Sequence, residues 1–289
     1  MNFTIGADPE IFVKKNGRAI SAYGLVEGTK KEPKKTSVGA YQVDGMALEF
    51  NIDPVPLGNF DMFNFNIVKT IEELRKAAGD VNFNISSVQE FSEELLNSQP
   101  DEAKELGCDP DYNAYTGEEN PMPDGTRLFR TGAGHIHFGW GADIPVDNEE
   151  HFNICAGFVK MLDLHIGMYM TLIDRDPRRR ELYGKAGAFR PKPYGVEYRT
   201  PSNVWLKNKH RRYTIHRLAN LAVNRMKAGK SVYSLTALPE ESIQRIIDTG
   251  HIDDAKAILN TLLPYGRSLY SLILAESAAL DEAAEKEAA

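Results

Sequence analysis

The chain has 289 residues, 42% of them hydrophobic and 26% charged, and a formal charge of −7. That length buries a real core, and the composition excludes a disordered chain. The acidic balance gives no support for a face that grips duplex nucleic acid, and no stretch approaches the roughly 18 apolar residues of a membrane helix. The two cysteines, Cys108 and Cys155, share no metal-type spacing, and residues 1–8 lack a basic stretch followed by an apolar run. A cytoplasmic protein in a reducing compartment is therefore expected.

Residues 3–13 read as a strand closed by an Asn16-Gly17 turn. Residues 38–43 and 46–52 flank Asp44-Gly45, a hairpin signal. Over 59–78, Phe60, Phe63, Ile67, Ile71 and Leu74 recur at steps of three and four, which predicts one apolar stripe on a helix. Residues 92–123 are polar and rich in Asp, Glu, Asn and Pro. They predict short helices and a long loop of the kind that serves as a lid.

Residues 128–140 are strand-like, and 149–173 predict a long helix burying Phe152, Cys155, Phe158, Leu162, Ile166 and Tyr169. A basic segment rich in glycine and proline follows at 175–193, then a short strand at 196–200. Everything beyond 202 reads as helical, ending in an Ala/Glu tract at 276–289 that predicts a frayed or disordered tail. The element order predicts an α+β fold with antiparallel pairing.

Four of the strand candidates share a pattern. Residues two apart in a strand point the same way. Glu49 and Asn51 thus oppose the apolar set Met46, Leu48, Phe50 and Ile52. His135 and His137 oppose Ile136, Phe138 and Trp140. Glu197 and Arg199 oppose Val196 and Tyr198, and Asp8 and Glu10 share a face near the start. A solvated face would use Thr, Ser, Gln and Lys freely; these polar faces carry Glu, Asp, His and Arg beside glycine.

Carboxylates with few histidines suit a hard cation, Mg²⁺ or Mn²⁺, which also relieves the repulsion between the acids. Zinc is the rival, since His-x-His is a familiar zinc arrangement. The basic segment, with Arg178, Arg179, Arg180, Lys185, Arg190 and Lys192 among glycines, supplies what a polyphosphate needs. For Arg178 and Arg179 a solvated helix end is an equally good reading. No Walker loop, dinucleotide fingerprint or nucleophile elbow is present. Asp44 is first a turn residue and second a candidate ligand or base.

Thr-Gly-Ala-Gly-His-Ile-His-Phe-Gly (131–139) resembles the histidine-bearing strand of glutamine synthetase, and Gly-Val-Glu-Tyr-Arg-Thr-Pro (195–201) resembles its later Glu-x-Arg strand. Gly-Ala-Asp-Pro-Glu (6–10) and Asp-Gly-Met-Ala-Leu-Glu-Phe-Asn (44–51) stand where that superfamily places its early acidic strands. In their joint order these motifs resemble the phage-associated carboxylate–amine ligases of type 2 (phiEco32-like), a divergent glutamine-synthetase-like branch, over about residues 3–205.

The resemblance implies an antiparallel sheet with helices on one face and a catalytic domain at 1–205; the helical residues 206–289, outside the resemblance, are expected as an extension packing on the same core. It implies Glu10, Glu49 and Glu197 as ligands of a catalytic Mg²⁺ or Mn²⁺, with Asp8 nearby and His135 as a further ligand. ATP would be bound by His137, Lys185, Arg190 and Lys192, while Arg190, Arg199 and Asp44 would serve catalysis. The activity implied is ATP-dependent amide formation through an acyl phosphate. The substrates would be small-molecule or peptide carboxylates and amines, in the cytoplasm of a host cell if phage-encoded, with a homo-oligomer compatible. Asp-Pro-Glu replaces the Glu-x-Glu of glutamine synthetase, and no ammonia-site loop is recognisable, so a larger amine is expected. A metal-dependent amidase using the same acids and histidines, or a non-catalytic nucleotide-binding phage protein, remains an alternative.

Overall fold

The first strand, β1 (Thr4–Lys15), is the spine around which the remaining elements assemble. This computed structural model describes residues 2–104, 110–141 and 143–263, with 271, 273–276 and 278–279. Cys108 and the end of the tail from 280 lie outside the described residues.

After β1 come β2 (Arg18–Ile20), β3 (Lys34–Lys35), β4 (Gly39–Asp44), β5 (Ala47–Ile52), β6 (Val55–Pro56) and α1 (Phe60–Ala78). Next are β7 (Asn82–Asn84), β8 (Val88–Glu90), α2 (Glu93–Ser98), α3 (Asp101–Lys104), β9 (Tyr112–Asn113), β10 (Phe129–Thr131) and β11 (Gly134–Gly139). Then follow α4 (Glu149–Leu162), a π-helical turn (Asp163–Gly167), α5 (Met168–Ile173), α6 (Arg179–Leu182), β12 (Ala188–Lys192) and β13 (Gly195–Tyr198). A 3₁₀ turn (Asn203–Leu206) leads to α7 (Lys209–Lys227), α8 (Val232–Thr236), α9 (Glu240–Thr249) and α10 (Ile252–Leu262).

The fold is α+β. Its main sheet runs β3-β4-β5-β1-β11-β13-β12-β9, with β2, β6 and β7 also paired to β1, and every pairing is antiparallel. Helix α1 packs against β4 and β5, and α4 against β12 and β13. The predicted stripe of α1 holds: Phe63, Ile67 and Leu74 are buried, and Asn59 caps the helix by accepting from the Met62 N–H. Buried residues of α7, α9 and α10, such as Leu218, Ile243 and Leu259, join the same core as Ile5 and Phe138.

Three local readings change. The strand read over 128–140 is two, β10 and β11, broken at Gly132. A Cβ there would stand 2.5 Å from the Ser86 carbonyl and 2.4 Å from Asn203 Nδ2. The helix read over 149–173 carries the π-helical turn in its middle. Residues 188–192, read as part of a basic loop, form β12. Proline belongs where no ladder N–H is required. Pro191 fits because β9 pairs only with Ala188 and Phe189.

Candidate active site

The sheet register places the polar positions in one row. Gln42 faces Glu49, which faces Glu10; Asp8 faces His135; His137 faces Glu197, which faces Arg190. Directly opposed residues share a sheet face, so six strands deliver these side chains to one side. The opposite side takes Ile136, Phe138, Val196 and Tyr198 into the core. The row floors a cleft of about 390 Å³, lined also by Asp44, Lys192 and Arg199.

Glu197 is the hub of one half. Lys192 Nζ lies 2.9 Å and Arg190 3.4 Å from its Oε2, and Arg199 donates to its Oε1. Arg199 follows β13 immediately. Its Nε donates to Asp111 at 2.9 Å, and its backbone N–H donates to the Ala188 carbonyl. Both histidines reach Asp8, and His135 reaches Glu197 as well. His137 Nε2 is 2.9 Å from Asp8 Oδ1, and His135 Nδ1 is 3.6 Å from Asp8 and 3.4 Å from Glu197. The Tyr194 hydroxyl bonds His137 Nδ1 at 2.6 Å, leaving Nε2 for the cleft. Among the described residues, Asp8, His137 and Glu197 offer ligand atoms within 4.8 Å of one another.

The other half is acidic. Burial, reinforced by the Asp44 charge, pushes the Glu10 carboxyl up to about 7, although Oε2 accepts the Ala133 N–H at 2.9 Å. Burial, then Asp8, Asp44 and Glu10, holds Glu49 well above the carboxylate range; Gln42 donates to it at 2.7 Å. Burial acts on Glu197 in the same direction, but Arg199, the two histidines and Lys192 outweigh it and hold that carboxyl well below its ordinary value. Burial and the neighbouring Arg199 push the His135 imidazole well down. For His137 burial is opposed by the Asp8 charge and hydrogen bond, which win and raise it. The cleft thus sets mutually repelling carboxylates beside a cluster of cations.

Of the residues singled out in sequence, Asp8, Glu10, Asp44, Glu49, His135, Arg190, Lys192, Glu197 and Arg199 line this cleft, and His137 joins them through Asp8. Both rings touch Asp8, but the group whose ligand atoms gather with Asp8 and Glu197 holds His137, read as the nucleotide contact, and not His135, read as the metal ligand. Asp44 stands at the β5 end of the row, 2.8 Å from Lys30. Lys185 lies elsewhere, in a neighbouring cavity. Arg178 is half-exposed and pairs with Asp176 and Glu90, a solvated helix-end role.

Arg179, which the sequence left open between a phosphate grip and a solvated helix end, is buried, lines the cleft and donates to the Thr200 and Pro201 carbonyls at 3.1 and 2.9 Å. Sequence reasoning missed Arg130, Tyr183 and Gln42 on the cleft wall and Asp111 behind Arg199. For Gln42 a signal existed: it alternates with Asp44 on the hairpin strand opposite Glu49. Asp111 sits in the polar loop and had none.

No helix among the described residues is long and apolar enough to cross a membrane. No curated protein matches the chain. The profile of one family, described as phage phiEco32-like COOH.NH2 ligase-type 2, matches residues 124–244. The match runs past 205 into the C-terminal helices that the sequence resemblance left outside. It does not reach the acidic strands at 6–10 and 44–51, whose place in the site rests on register alone. Across residues 124–244, which carry both cleft histidines, Arg190, Glu197 and Arg199, the chain has the sequence pattern of the phiEco32-like carboxylate–amine ligases of type 2.

Proposed function

We propose that the chain is an ATP-dependent carboxylate–amine ligase that forms an amide through an acyl phosphate. The observation that supports this reading best is the divided cleft: buried acids with raised protonation on one side, and Arg190, Lys192 and Arg199 gathered on Glu197 on the other. A face that only bound water would not bury carboxylates against one another. A site that only hydrolysed amides would need no such set of cations.

The donor set fits a hard divalent ion. Asp8, Glu197 and one of the two histidine rings would hold one, with Glu10 and Glu49 offering further oxygens. When bound, Mg²⁺ or Mn²⁺ supplies neutralisation of phosphate oxygens and polarisation at phosphorus. Arg190, Lys192 and Arg199 bind and orient the phosphoryl oxygens. Arg179, fixed by backbone carbonyls, adds charge to the cleft wall. In that field a substrate carboxylate attacks the terminal phosphate, and an amine then displaces phosphate from the acyl carbon. A carboxylate of the cleft, with Asp44 the sequence candidate, takes the amine's proton. On this reading the chain works in the cytoplasm.

The test is ADP release measured with mixtures of candidate acids and amines in Mg²⁺ or Mn²⁺. Release that requires both an acid and an amine is expected. Amide hydrolysis proceeding without nucleotide would overturn the proposal in favour of the amidase reading.

A further inference from the structure

A second cavity, of about 260 Å³, adjoins the cleft and shares Tyr183 and Arg199 with it. Its character differs. The cleft's lining sets six lysines and arginines against five carboxylates, whereas the second cavity sets Lys185 and Arg199 against Asp111, Asp124 and Glu181. Arg199 is moreover already engaged by Asp111 and Glu197. From outside the cavity Arg127 approaches Asp124 at 3.3 Å and Glu181 at 3.7 Å, both half-exposed. The rest of the wall is mostly apolar, with Met122 and Leu182 among prolines, beside Asn120 and Tyr183.

We propose that this second cavity binds the amine substrate, a primary ammonium on a short aliphatic body, and delivers it past Arg199 and Tyr183 to the cleft. The inference rests on the ligase reading above. Phosphate and carboxylate belong in the cation-rich cleft, so the nucleophile must reach the acyl carbon from another side. The shared wall gives that approach. Acidic lining favours an ammonium over a second anion, and the apolar wall accommodates the carbons that ammonia lacks.

In the reaction the ammonium, once past the shared wall, first gives one proton to the cleft carboxylate that serves as base. The nitrogen lone pair then forms the C–N bond, and the C–O bond to phosphorus breaks. The phosphate leaves into the cleft with that electron pair and takes up the amine's second proton, so no oxidant, reductant or further reactant is needed.

The test uses n-butylamine and butyrate as probes, observed by saturation-transfer NMR on the full chain in the presence of Mg²⁺ and a non-hydrolysable ATP analogue. Preferential binding of butylamine is expected, weakened at least fivefold by Glu181→Lys and by Asp124→Lys, two half-exposed positions at which a lysine is readily accommodated. Both variants should keep the thermal shift given by Mg²⁺–nucleotide, which reports the cleft and the fold. Amine binding that is absent, or that is unaffected by both substitutions, overturns the inference while leaving the ligase reading in place. Absence of any Mg²⁺–nucleotide shift in the unsubstituted protein counts instead against the ligase reading itself.

Discussion

Glu49 and Glu197 stand on the same face of the sheet, yet their surroundings make opposite demands. Glu49 is buried among Glu10, Asp8 and Asp44, so its charge costs stability in the metal-free protein. Glu49→Gln should leave metal-free stability unchanged or raise it by about 1 kcal/mol. Glu197 neutralises three cations within a buried site, and breaking such a set by removing one partner costs on the order of 3–5 kcal/mol. Glu197→Gln should therefore destabilise by about 3 kcal/mol. Turnover should fall by on the order of a hundredfold or more in both. Urea unfolding in EDTA beside a turnover assay checks both signs; equal stability changes would mean that the two halves of the cleft are not electrostatically distinct.

Arginine swaps separate grip from decoration. Arg199→Lys keeps the charge but cannot hold Asp111 and Glu197 in one planar fork, so the rate should drop about a hundredfold. Arg178→Lys, at a half-exposed position, should change stability by less than about 0.5 kcal/mol and leave the rate within a few fold. Alternation made the acids, histidines and Arg199 legible, because a strand commits every second residue to one side. The role of Arg179 was not legible. In a run of three arginines only tertiary structure decides which one turns inward to the Thr200 and Pro201 carbonyls.

The π-helical turn is an element that no periodicity announces, since one extra residue in a buried apolar run leaves the pattern apolar. It carries Asp163, fully buried, which accepts from the Tyr198 hydroxyl and the Gly187 N–H, each at 2.6 Å, and from the Tyr115 hydroxyl at 3.1 Å. Tyr198 lies between Glu197 and Arg199, so the turn fastens the back of the strand whose front forms the cleft. Asp163→Ala strands three buried donors and should cost about 3 kcal/mol or more by urea unfolding.

The same turn holds His165, pushed down to about 3 by burial and the Arg225 charge against its bond to the Met161 carbonyl. Because its folded value lies below the ordinary 6.5, the stability it contributes is present above that pH and is lost as pH falls toward 3. Asp163, pushed up to about 7 by burial, works the other way between 3.8 and 7. Comparing the parent with His165→Gln isolates the histidine: between pH 6 and 4 the variant should lose less stability, by about 1.4 kcal/mol per pH unit. Identical slopes would mean that the ring is hydrated when folded.

At the scale of the molecule, the ligase proposal has the acidic half of the cleft tie nucleotide binding to metal. Mg²⁺ with an ATP analogue at a hundred times its Kd should add about 2.7 kcal/mol, a shift of a few degrees in Tm, and metal-free ATP much less. No response at millimolar Mg²⁺–nucleotide would remove the basis for the ligase reading. The α+β class and the β4–β5 hairpin were readable because their signals are local. The sheet order was not, since β1 and β11 pair across more than a hundred residues of chain, and nothing in either sequence names the other.

That central position of β1 has a cost during synthesis. The strand that carries Asp8 and Glu10 leaves the ribosome well before the partner that closes its histidine side: β11 begins only at residue 134, and β13 at 195. Until then β1 can recruit β2, β5, β6 and β7, while one apolar edge waits unpaired and open to pairing with other chains. Nascent chains stalled before residue 195 should therefore be the aggregation-prone species. On the proposed reading, a metal held by Glu197 would join a nearly finished chain and could not act as its nucleus.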